Sequence, residues 1–150
     1  MRHYTKKENK ELVKRYPFLL PRNVWTDKVP EDYDYSYTLF DEVPDMWRKK
    51  FGKQMLEELR DILVEGNYLK KYRFMQIKEK YGTLRMYSNS IPNSIWDKYQ
   101  AWEAKYEALS GAVCFFCGAD SEGFTSGWIL PACKECLAKP YNERKVMSDG

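Results

Sequence analysis

The chain has 150 residues, 43% of them hydrophobic and 31% charged, which is one domain with at most a small appendage and the composition of an ordinary soluble globular protein. No apolar run approaches the roughly 20 residues needed to cross a bilayer, and the start Met1-Arg2-His3-Tyr4-Thr5-Lys6-Lys7 leads into charge rather than into the apolar stretch of an export signal, so no membrane span, no membrane partner and a cytoplasmic location are expected. A formal charge of +3 is too small to imply a nucleic-acid partner by itself, and a 16% aromatic content argues against disorder.

The charge is unevenly distributed. Residues 26–45 hold seven carboxylates against Lys28, a net −6, which leaves +9 on the remainder. Any electrostatic attraction to an anionic partner must therefore be local.

In chain order, Thr5-Lys6-Lys7-Glu8 has the form of a capping box, and Leu12, Val13 and Tyr16 continue it as a short amphipathic helix ending before Pro17. Residues 17–44 are proline-rich with little helical period. Within them Tyr33, Tyr35 and Tyr37 alternate with Asp34 and Ser36, which predicts an extended segment with the tyrosines on one side. Two readings stand side by side. One is an edge strand or loop pinned to the core by its rings. The other is an acidic, aromatic docking surface for a protein partner, formed by Asp32, Asp34 and Asp41 with the three tyrosines.

Pro44 suits the first turn of a long helix, in which Trp47, Phe51, Met55, Leu59, Ile62 and Leu63 form the buried stripe and Gly66-Asn67 the stop. Residues 73–87 then read as a β-hairpin turning at 79–82. Met75, Ile77, Leu84 and Met86 are expected on the buried face. Phe74, Gln76, Lys78, Thr83, Arg85 and Tyr87 are expected on the other, with Lys80 and Tyr81 at the turn. That second face is either a solvated sheet surface or a site where Lys78, Lys80 and Arg85 hold phosphates while Phe74, Tyr81 or Tyr87 stack bases.

A second helix is predicted from the N-cap Asn93 to Gly111, with Ile95, Tyr99, Trp102, Tyr106 and Leu109 as its stripe. It leads into Cys114-Phe115-Phe116-Cys117-Gly118 and, fifteen residues on, Cys133-Lys134-Glu135-Cys136. This C-x2-C-x15-C-x2-C spacing predicts one four-thiolate structural zinc site; the rival reading, two disulfides, lacks an export signal to support it. One Zn²⁺ on four thiolates lowers the net charge to about +1. Between the knuckles, residues 125–130 are a strand candidate, with Trp128 and Ile129 expected to pack on the metal knuckles. From about Lys139 onward an unpatterned tail is expected to fray. The expected organisation is thus a body over 1–112, a docked zinc ribbon over 113–138 and a flexible tail over 139–150, in an α+β fold of amphipathic helices with a small antiparallel hairpin.

No catalytic set stands out. His3 is the only histidine, the cysteines belong to the metal, and neither G-x-x-x-x-G-K-[ST] nor G-x-G-x-x-G occurs. No enzymatic activity is expected.

The run Gln76-Ile77-Lys78-Glu79-Lys80-Tyr81-Gly82-Thr83-Leu84-Arg85-Met86-Tyr87, followed by a helix and two C-x-x-C knuckles, resembles uncharacterised small phage- and prophage-encoded proteins that share a K-E-K-[FY]-G-G-L-R-[FW]-Y core. The likeness spans about residues 44–137 and departs at Thr83, where the pattern has glycine. It implies a mobile-element origin and a protein that acts by binding a host macromolecule. Two classes follow: an inhibitor of a bacterial defence system, anti-CRISPR-like, working through a protein surface; or a nucleic-acid or nucleotide binder, including a nucleotide-sequestering decoy, using the hairpin face. Its exposed aromatics leave a homodimer open.

Overall fold

The computed structural model describes residues 4–147, and His3 lies outside them. The fold is α+β. Helix α1 (Lys6–Arg15) opens on the expected capping box: Glu8 N–H donates to Thr5 Oγ1 at 3.1 Å and Thr5 N–H to Glu8 Oε1 at 3.0 Å. These bonds satisfy backbone donors that a helix start leaves without partners. The chain turns at Pro17 into a 3₁₀ turn that buries Phe18 and Leu19.

The tyrosine segment is not an extended strand. Tyr35 adopts φ +63°, which breaks the alternation, and a 3₁₀ turn follows at Leu39–Glu42. The three rings still gather, with Tyr33 4.9 Å from Tyr35 and 5.4 Å from Tyr37 between centroids.

The predicted long helix is present, with an interruption the periodicity does not reveal. Helix α2 (Asp45–Trp47) passes through a π-turn (Arg48–Gly52) into α3 (Lys53–Glu65). At the π-turn the Arg48 guanidinium is buried against Asp45 (3.3 Å) and near Asp41 (3.8 Å), while Gly52 packs so close to Phe40 that a Cβ there would lie 2.7 Å from its ring. Trp47, Met55, Leu56, Leu59 and Leu63 are buried, and α3 stops at Gly66-Asn67, where Asn67 takes φ +51°.

β1 (Phe74–Lys80) and β2 (Thr83–Ser88) pair antiparallel around the two-residue turn Tyr81-Gly82. Both turn residues have positive φ (52° and 84°), the mirror-image turn whose twist matches that of the strands. One register detail departs from the sequence expectation. A bulge between Phe74 and Gln76 reverses the start of β1, so Phe74 is buried and Met75 exposed. Ile77, Leu84 and Met86 are buried as expected.

Helix α4 (Trp96–Gly111) follows a 3₁₀ turn at Asn93–Ile95. Asn93 is not its N-cap, since it sits inside that turn and no side chain caps α4. Tyr99, Trp102 and Tyr106 are buried, and the Trp102 indole N–H donates to the Met55 carbonyl of α3 at 2.9 Å. At its end the Ser110 hydroxyl accepts Leu84 N–H at 2.8 Å, which docks β2 on the helix. The aromatic and aliphatic core therefore lies between α1, α3, α4 and the hairpin. No helix among the described residues is long and apolar enough to cross a membrane.

A smaller cluster surrounds the cysteines. There β3 (Gly123–Phe124) pairs with β4 (Pro131–Ala132), and α5 (Lys134–Ala138) begins at Cys133. The Phe115 ring meets Trp47 edge-on at 5.6 Å and ties this unit to the helical body. Within residues 139–147 a 3₁₀ turn forms at Tyr141–Glu143, Arg144 Nε donates to the Cys136 carbonyl at 2.9 Å, and Met147 N–H donates to the Phe116 carbonyl at 2.7 Å.

Candidate metal centre and the adjoining groove

Each C-x2-C turn presents its sulfurs through local backbone geometry. In the first, Cys114 N–H donates to Ala119 O at 2.7 Å and Gly118 N–H to Cys114 O at 3.0 Å. Closing that loop requires φ +80° at Gly118, and a Cβ there would also lie 3.1 Å from Lys50 Cε and 3.3 Å from Met46 Sδ. In the second, Cys133 caps α5 and its Sγ accepts Cys136 N–H at 3.5 Å. Phe115 N–H donates to Pro131 O at 2.8 Å, which holds the two turns face to face.

All four sulfurs lie within 4.8 Å of one another, and Cys117 Sγ is 3.6 Å from Cys133 Sγ. A tetrahedron with bonds of about 2.3 Å has edges of about 3.8 Å, so these four side chains could hold one metal ion. None is in a disulfide. Cys114, Cys133 and Cys136 are buried. Burial pushes the Cys114 thiol up, but backbone N–H groups of Cys117, Cys133 and Phe116 favour its thiolate more strongly and leave it lowered to about 7. Burial raises Cys117 and Cys136, with neighbouring sulfurs adding to the effect. Thiolates this close repel one another, and a divalent cation at their centre removes that repulsion.

Residues 125–130 are the loop between β3 and β4, closed by Thr125 N–H to Leu130 O at 2.9 Å, and not a strand. Trp128 and Ile129 accordingly are not buried on the knuckles but stand 69% and 42% exposed. They reach the hairpin instead. The Trp128 indole N–H donates to Glu79 Oε1 at 2.8 Å, and Glu79 Oε2 accepts Gly82 N–H at 2.8 Å. Between hairpin tip and loop lies an open groove of about 350 Å³ lined by Lys78, Glu79, Lys80, Tyr81, Trp128 and Ile129. The Lys80 ammonium sits 5.6 Å from the Tyr81 ring and that of Lys78 5.6 Å from the Tyr87 ring. Tyr81 is 68% exposed.

The hairpin candidates thus divide. Lys78, Lys80, Tyr81 and Tyr87 are brought together at the groove and the adjacent strand face. Phe74 belongs to the core, where it packs edge-on against Phe18 and Tyr72, and offers no ring for stacking. Arg85 turns toward α4, bonding Thr83 Oγ1 at 3.0 Å and pairing with Glu107 at 3.3 Å. The acidic candidates are engaged internally. Asp41 accepts Thr38 N–H at 2.9 Å, Asp34 pairs with Lys6 at 3.0 Å, and the Tyr33 hydroxyl donates to Tyr37 O; Asp32 alone of the three carboxylates is exposed without such a bond among the described residues. Sequence reasoning missed Trp128 as a groove residue. The one available signal was an aromatic beside Gly127 between the knuckles, where a ribbon must turn.

Comparisons with protein-family models, with curated proteins and with solved structures return no match for this chain.

Proposed function

We propose that the chain is a non-enzymatic binding protein, stabilised by one structural zinc ion, that holds single-stranded nucleic acid in the groove between hairpin tip and ribbon loop. Zinc is the ion that four thiolates at tetrahedral spacing suit, and a site closed by four protein ligands has no open position for chemistry. The observation that carries the binding reading is the pairing of two exposed rings, Tyr81 and Trp128, with two lysines along one groove. Every base has a π-face, so rings bind single strands with little regard to sequence, while ammonium groups hold the phosphates. Neither Lys78 nor Lys80 forms an ion pair among the described residues, which leaves both charges available. A binder of this kind in the cytoplasm of a phage-infected or lysogenic cell fits the resemblance of the 76–87 run.

Titration with a labelled oligonucleotide at several salt concentrations tests this. Affinity should fall with salt at a log–log slope of about 0.7 per phosphate contact. The double variant Lys78→Ala/Lys80→Ala should bind more weakly with a shallower slope while melting like the parent. Retention of full affinity and slope would remove the groove from the function.

A second reading, inhibition of a host defence complex through a protein surface, is favoured by Trp25. Its side chain is 91% exposed on a loop that is nonetheless firmly built: Asn23 Oδ1 accepts Trp25 N–H at 2.8 Å and Thr26 N–H at 3.0 Å, and Asp27 pairs with Arg73 at 2.7 Å. A tryptophan ring held out into solvent is a common binding anchor. Trp25→Ala should then abolish protection of phage in defence-bearing cells without lowering stability; unchanged protection would exclude it.

A further inference from the structure

A second cavity of about 390 Å³ lies on the ribbon, lined by Phe116, Thr125, Trp128, Leu130, Tyr141 and Arg144. Trp128 is the one residue common to it and the hairpin-side groove. Resting on the reading of that groove as a nucleic-acid site, we infer that the bound strand crosses Trp128, so that at least two consecutive nucleotides are held, one base in each cavity. The occupant is then a strand and not a free mononucleotide.

Three features support this. The rings of Tyr81, Trp128 and Tyr141 are 68%, 69% and 79% exposed, and the two cavities place Trp128 between the other two. Successive platforms of this kind are what a run of unpaired bases stacks on, whereas a single nucleotide needs one enclosed pocket. The indole is also fixed in place by its bond to Glu79, so both of its surroundings are formed before any ligand arrives. Finally, each cavity carries its own cation. Lys78 and Lys80 border the first. Arg144 borders the second, with Nε and Nη2 given to the carbonyls of Cys136 and Leu137 and, among the described residues, no carboxylate paired with its charge. A phosphate linking two bases would pass between these cations.

Tyr141 gives the clean test, since its exposed side chain can be removed without disturbing the core. Quenching of Trp128 fluorescence, identified by its loss in Trp128→Phe, is titrated with thymidine monophosphate, with the dinucleotide and longer oligo(dT), and with the matching uridine series, the tighter series naming DNA or RNA as the source. The parent should gain about tenfold in affinity from one nucleotide to two, the effect of one added stacked base. Tyr141→Ala should lose that gain and keep the mononucleotide affinity. Equal affinity for one and two nucleotides, or a gain that survives Tyr141→Ala, overturns the two-base footprint while leaving the groove reading intact. Absence of any binding by the parent overturns the groove reading and this inference with it.

Discussion

Glu79 and Trp128, 49 residues apart, are joined by a hydrogen bond of 2.8 Å from indole N–H to carboxylate, and the other oxygen of the same carboxylate receives Gly82 N–H. One side chain therefore fixes the hairpin turn and the ribbon loop together. Glu79→Ala should free Trp128, seen as readier quenching of its fluorescence by iodide. The loss in stability should be about 1 kcal/mol, because the bond to Trp128 is exposed to water, and should lower Tm by about 2–4 °C. An unchanged quenching profile would show that the loop is held by other contacts.

Metal removal should act locally. The cysteines and their neighbours form a cluster separate from the main core, small enough that ligation and folding become one process. Chelation, or Cys133→Ser, should expose amides around 113–138 to hydrogen exchange and leave α3 and α4 protected. Metal analysis of the intact protein should return one zinc per chain. Loss of protection throughout the chain would mean that the body depends on the ribbon.

Much of the fold was legible because each signal was local. The capping box at Thr5 and Glu8, the stripe from Trp47 to Leu63, and the cysteine spacing each specify their own geometry. What the sequence concealed depended on tertiary context. The bulge that buries Phe74 in place of Met75 is set by packing against Phe18 and Tyr72, and no alternation pattern records it. The loop bearing Trp128 has the residues of a strand but lies at the far end of a ribbon with two-residue strands, so it turns where a longer sheet would continue.

The π-turn gives a sharper packing prediction. A Cβ on Gly52 would fall 2.7 Å from Phe40 Cζ, and Phe40 is fully buried. Gly52→Ala should cost about 1–3 kcal/mol through overpacking. Phe40→Leu makes room, so the double variant should be more stable than the sum of the single effects implies. Additive losses in that double-mutant cycle would show that the glycine is required for the backbone of the π-turn and not for its contact with Phe40.

Arg15, Tyr16 and Glu57 add one pH-dependent contribution to stability. Hydrogen bonds from Arg15 and Tyr16 hold the Glu57 carboxyl down to about 2, against an ordinary value of 4.5. A depressed carboxyl stabilises the fold fully above its unfolded value and loses that contribution as the pH falls through its folded one. Tyr16 is displaced the opposite way, raised from 10.0 to about 12 by burial first and then by Glu57. Its contribution is present below 10.0 and lost as the pH climbs toward about 12. The side chains of Arg15 and Glu57 remain 52% and 39% exposed, so water and salt screen the pair and its worth is at most about 1 kcal/mol. Glu57→Gln should therefore melt about 2–4 °C below the parent at neutral pH. The gap should close as the pH is lowered from 4.5 toward about 2 and narrow with added salt. A difference that stays constant across that acid range would assign the loss to packing and not to the charge of Glu57.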